Sequence, residues 1–94
     1  MIANEFKDIL ELFSSHGIEG KELLEFGSGT GQHGRLLAKE GYAVHGIELS
    51  QQMVDKTKLI NGFTCQQGDI AQVKMGKKYD AVFSASTITI FIIS

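Results

Sequence analysis

Proline is absent from this sequence of 94 residues, and cysteine occurs once. The missing proline carries no functional message. The single Cys65 has no partner for an internal disulfide, which points to a reducing compartment. No apolar run reaches the roughly 18–20 residues that a membrane span requires. The opening MIANEFKDIL places charges where a signal peptide would be apolar. A cytoplasmic location is therefore expected. A basic excess is also lacking, the formal charge being −2. Without one there is no field for a nucleic-acid backbone and no polybasic membrane patch, so neither is expected as a partner. What is present, 43% apolar and 21% charged residues, suits one soluble domain with a small core.

Apolar periodicity divides the chain into short elements. In NEFKDILELFSSH, residues 4–16, Phe6, Ile9, Leu10 and Phe13 recur at helical spacing, with Asn4 as a candidate cap and Gly17 as a left-handed stop. Leu23 to Phe26 is a short run halted by glycine, as in a buried strand. Gln32 to Glu40 predicts a short helix ending at Gly41, and Tyr42 to Glu48 a second strand. Ser50 is placed to cap a helix reaching about Leu59, with Met53, Val54 and Leu59 on its apolar face. Phe63 to Gln67 predicts a third strand, 73–78 a loop, and Tyr79 to about Ser86 a fourth strand. Strands alternating with short helices imply a parallel sheet with right-handed crossovers, within one domain. The tail from Ser86 to Ser94 is uncharged and rich in β-branched residues.

The stretch LLEFGSGTGQHG, residues 23–34, carries the chemistry. Gly27, Gly29 and Gly31 follow a strand and precede a helix, the place where open α/β sheets bind ligands. Glycine permits a tight turn and lets backbone approach a ligand closely. The N–H groups of the helix start favour an anionic or carboxylate group. Two readings compete. Gly29-x-Gly31-x-x-Gly34 has the letters of the dinucleotide fingerprint, which would make the chain an NAD(P)-type module. Gly27-x-Gly29-x-Gly31, with Glu25 two residues ahead, fits a different loop. The strand ends at Phe26, so the turn begins at Gly27, and further acids follow at Glu48 and Asp69.

LLEFGSGTGQHG resembles the first motif of the class I S-adenosylmethionine-dependent methyltransferases. VHGIELSQQMV (44–54), CQQGDIAQV (65–73) and KYDAVFS (78–84) resemble the second, third and fourth, in that order. The likeness covers about residues 20–85. It implies a Rossmann-like three-layer α/β sandwich with a mostly parallel sheet of about four strands in the order 3-2-1-4 and helices on both faces. It also implies S-adenosylmethionine as cofactor and a small-molecule methyl acceptor. The cofactor contacts implied are Glu25, Gly27, Ser28, Gly29 and Gly31 in the loop, Glu48 and Leu49 after the second strand, Asp69 and Ile70 after the third, and Ser84 in the fourth. Glu48 would take the ribose hydroxyls, Asp69 the adenine amino group, and Glu25 the charged methionine part. Leu49 and Ile70 would flank the ring.

No nucleophile–base set, no metal-ligand spacing and no catalytic residue stands out. His16, His33 and His45 are scattered, and a solvated role is expected for His33. Asp80 reads as structural and Cys65 as a small buried strand residue. In the family the sheet continues well beyond the fourth motif, whereas this sequence ends soon after it. The expectation is a truncated, cofactor-binding half, inactive alone, with a strand-four edge left open. The apolar tail would extend that strand or add one, and pair two copies into a homodimer. A non-catalytic, self-associating remnant is a further reading.

Overall fold

The computed structural model describes residues 2–18, 21–69, 79–84 and 89–92, with side chains from residue 7 onward and not for 89–92. The elements run α1 (Ile2–Ser15), β1 (Glu22–Phe26), α2 (Gln32–Lys39), β2 (Ala43–Glu48), α3 (Gln51–Lys56), β3 (Phe63–Gln67), β4 (Ala81–Ser84) and β5 (Thr89–Ile92). One sheet contains all the strands in the order β3-β2-β1-β4-β5. The pairs β1–β2, β1–β4 and β2–β3 are parallel, giving the expected 3-2-1-4 order. No described helix is long and apolar enough to cross a membrane.

The register explains the core. Leu23 lies opposite Val44 and Ala81, and Val44 opposite Phe63, so these side chains share one sheet face. Ile9 and Phe13 of α1 and Leu37 of α2 close over that face. Phe13 anchors the cover, its ring tilted on Tyr42 at 5.5 Å and edge-on to Phe83 at 6.0 Å. The segment 70–78, which joins β3 to β4 and includes the expected loop, lies outside the described residues.

Several boundaries differ from the sequence expectation for local reasons. The first helix already runs from Ile2, so Asn4 is inside it and is not its cap. Its stop is as expected: Gly17 has φ 70°, and the Ile18 N–H closes the last turn on Phe13 O at 3.0 Å. The third helix does start on Ser50, whose Oγ accepts from Met53 N at 3.3 Å, but it ends at Lys56. Thr57 turns extended and returns its hydroxyl to Met53 O at 2.8 Å. The expected apolar face therefore never forms: Leu59 is 60% exposed and Met53 42%. Cys65 is half-buried at the margin of the core, not fully inside it.

The fourth strand begins at Ala81, because Asp80 is occupied in fixing its start. The Asp80 carboxylate accepts from Glu22 N at 2.9 Å while Asp80 N donates to Glu22 O at 2.8 Å. Residues 85 and 86, its expected end, lie outside the described residues. The tail forms one more strand: Thr89–Ile92 pairs antiparallel with β4, Ser84 facing Thr89 and Ala81 facing Ile92. The strand-four edge is thus filled by the chain's own β5.

Candidate functional site

The site lies at the carboxyl ends of β1, β2 and β3. After Phe26 the chain must turn sharply to enter α2, and Gly27, Gly29 and Gly31 do so with φ of 60°, 58° and 82°. Each of these values lies in the left-handed region that side-chain-bearing residues avoid, which is why glycine recurs at alternate positions. The loop is tied to β2 by its amides. Gly27 N and Ser28 N both donate to Ile47 O, at 2.7 and 3.3 Å.

Glu48 does the same with its side chain. One carboxylate oxygen accepts from Gly29 N and the other from Ser50 N, each at 2.9 Å. A single anion therefore joins the glycine loop to the start of α3. Each oxygen keeps a lone pair for a further donor. Gly68 N bonds Glu48 O at 2.9 Å and Gln67 Nε2 bonds Leu49 O at 3.1 Å, which fixes the third loop beside the second. Between them is a cleft of about 130 Å³ lined by Phe26, Gly27, Ile47, Glu48, Leu49, Gly68 and Asp69. Leu49 presents an apolar side chain 67% exposed at its mouth.

Of the sequence-predicted residues, Gly27, Glu48, Leu49 and Asp69 are thus brought together around one opening. Gly29 and Gly31 shape the loop behind it. Ile70 lies outside the described residues. Ser84, half-buried at the end of β4, is not among the cleft's lining residues.

Glu25 and Ser28 lie beneath the loop, away from the opening. Glu25 is 1% exposed and faces Gly46 across the β1–β2 register. Ser28 is 7% exposed and packs on the same Gly46, where a Cβ would stand only 2.6 Å from Ser28 Cβ. Glu25 Oε1 and Ser28 Oγ find no hydrogen-bond partner among the described residues. Burial pushes the Glu25 carboxyl up to about 8, with the Glu48 charge adding to it. His33 was expected to be solvated, yet its Nε2 is buried in the first turn of α2, also without a partner.

Three contributors escaped sequence reasoning. Gly46 is a strand-interior glycine, a known sign of close backbone approach, and here it admits Ser28. Phe63 packs against Gly31 and Gly34 so tightly that a Cβ on either would clash with its ring. Arg35 donates to Thr30 O at 2.5 Å, for which the sequence offers no signal. The Phe63 contact gives Gly34 a helix-to-strand packing role, the same role the third glycine has in the dinucleotide fingerprint, so Gly34 fits both readings. Among the described residues no cluster of His, Cys, Asp and Glu could hold a metal ion.

A left-handed glycine loop after β1, facing an acid at the end of β2, defines an open α/β domain with a cleft at the carboxyl end of its sheet, the place where such sheets take ligands. Comparison with known proteins gives the family: the methyltransferase domain profile matches residues 23–92, and the chain belongs to that family. It is 36% identical over 83 residues to dTDP-3-amino-3,4,6-trideoxy-alpha-D-glucopyranose N,N-dimethyltransferase of Streptomyces venezuelae, covering 87% of this chain and 35% of that protein. The crystal structure of Streptomyces venezuelae DesVI superposes with TM-score 0.75 at 36% identity, over 88% of this chain and 36% of that one. CalS10, an amino pentose methyltransferase from Micromonospora echinaspora solved with S-adenosylmethionine bound, superposes with TM-score 0.77 at 26% identity, over 89% and 36%. The chain spans about a third of the length of these relatives.

Proposed function

We propose that this chain binds S-adenosylmethionine at the carboxyl end of its sheet and forms the cofactor-binding half of a methyltransferase for a small-molecule acceptor. The observation that carries this reading is the Glu48 carboxylate. It sits on the cleft wall with its two oxygens already oriented by Gly29 N and Ser50 N, and its free lone pairs suit the paired hydroxyls of a ribose. Leu49, exposed beside it, offers a flat adenine an apolar surface, and Asp69 offers an acceptor for its amino group. Glu25 Oε1 and Ser28 Oγ, buried beneath the loop without a partner among the described residues, suit a polar group of the cofactor's amino-acid part reached through water.

The cofactor, when bound, supplies an electrophilic methyl on its sulfonium. The chain's own residues then have only to bind and orient it, so no nucleophile–base set is needed for this half of the task. Two of the similar proteins are described as acting on amino sugars, and an amino sugar is the first acceptor class to test.

A fluorescent adenosylmethionine analogue bound to the chain tests the reading against a dinucleotide site. S-adenosylhomocysteine is expected to displace it and NADH to leave it in place. Displacement by NADH but not by S-adenosylhomocysteine would overturn the proposal.

We further propose that the chain self-associates through β5. Among the described strands β5 is outermost in the sheet beside β4, and its sequence TIFI is uncharged. An edge strand of this composition is a template for antiparallel pairing with its own copy across a two-fold axis.

A further inference from the structure

The glycine loop is held from two sides. Its amides are bound by β2 through Ile47 O and the Glu48 carboxylate. The Thr30 carbonyl is bound from the other side, by Arg35. That side chain rises from the first turns of α2, and its Nη1 lies 2.5 Å from Thr30 O and 3.5 Å from Lys58 O. The Arg35 backbone N–H donates to Gly31 O at 2.9 Å as the opening bond of α2, so the added hold on the loop comes from the side chain. Thr57, fixed on Met53 O at 2.8 Å, places its hydroxyl 3.4 Å from Gly29 O. The approach is close because Gly31 has no side chain. A Cβ there would stand 3.1 Å from Arg35 Nη1 and 2.6 Å from the Phe63 ring.

We propose that Arg35 is a positioning residue for the cofactor loop. By fastening the Thr30 carbonyl against the segment that follows α3, it fixes Gly29–Gly31 in the ligand-ready shape before any ligand arrives. A glycine-rich turn loses more backbone freedom on ordering than any other sequence. If the loop were loose, that loss would fall on the binding step and weaken affinity. The guanidinium suits the task because it is permanently charged and presents several donors in a rigid fork. Arg35 is not among the residues that line the cleft, so it acts through the loop. What the loop binds rests on the function proposed above; the bracing itself does not.

The test separates the two. Amide hydrogen exchange is followed by NMR in the ligand-free chain for the wild type, Arg35→Met, which keeps the stem and loses the donors, and Arg35→Lys, which keeps a charged donor. Melting curves first establish that each is folded. Arg35→Met is expected to speed exchange at Gly29 and Gly31 about tenfold, as loss of a charged hydrogen bond implies, with Leu24 and Val44 unchanged. Arg35→Lys should fall between. Unchanged loop amides, or an equal acceleration everywhere, would overturn the proposal. Titration with S-adenosylhomocysteine should then show about three- to tenfold weaker binding for Arg35→Met, partly restored in Arg35→Lys. Equal affinity with a loosened loop would overturn the positioning role. Failure of the wild type to bind, with the exchange result as expected, would count against the proposed cofactor and leave the brace standing.

Discussion

Glu25 concentrates the electrostatic tension of the molecule in one carboxyl. Its folded pKa of about 8 stands above the ordinary 4.5 because burial penalises the charge and Glu48 opposes it. The folded chain therefore keeps a proton that the unfolded chain releases near pH 4.5. The stability contribution is complete below that value, declines as pH rises, and is lost by about pH 8. The full span corresponds to at most about 5 kcal/mol. Glu25→Gln removes the titration. Its stability relative to wild type, measured by denaturant unfolding, is expected to grow steadily from pH 5 to pH 8. A difference that stays constant across that range would contradict the burial argument. Glu48 differs in being only partly buried and having both oxygens supplied with N–H donors. The sequence placed it correctly as the acid at the end of the second strand, since that position follows from the strand boundary. It could not reveal the double tether, because Gly29 and Ser50 meet Glu48 only once the loop has folded back.

At the level of elements, α2 is seated on β3 through two missing side chains. Phe63 occupies the space that Cβ atoms at Gly31 and Gly34 would fill. Gly34→Ala should cost about 1–3 kcal/mol, since the ring must shift within a packed core. Phe63→Leu in the same chain should make the pair less damaging than the sum of the two single changes. Additive costs would show that the ring is not the obstacle. The glycine pattern was visible in the sequence, but its two causes were not separable there. Gly27 and Gly29 serve a backbone of positive φ, Gly34 serves packing, and Gly31 serves both. The first strand was legible because it is a short apolar run halted by glycine, and the second because Val44 and Ile47 alternate toward a closing acid. The third helix was over-extended because Leu59 continues a helical spacing that the extended Thr57 breaks, and one exposed leucine does not announce the break.

For the whole molecule, alternating strands and helices implied a parallel sheet, the family resemblance of the four motifs implied the 3-2-1-4 order, and the structure has both. The direction of the last strand was not legible, because an uncharged β-branched run fits a parallel or an antiparallel place equally well. It pairs antiparallel and covers the β4 edge, so the self-association proposed above is placed at β5 and not at β4. Light scattering over a concentration series is expected to approach twice the mass of one chain, and Phe91→Lys to restore the single-chain mass. A single-chain mass at every concentration would contradict the proposed pairing. The central claim, however, concerns the cleft at the other end of the strands. Its most direct measurement is calorimetric titration of the chain with S-adenosylhomocysteine beside a Glu48→Ala control. Heat of binding near one ligand per chain is predicted, with affinity lowered about 10- to 100-fold in the variant. No heat at millimolar ligand, or equal binding by both chains, would contradict a cofactor site built on Glu48.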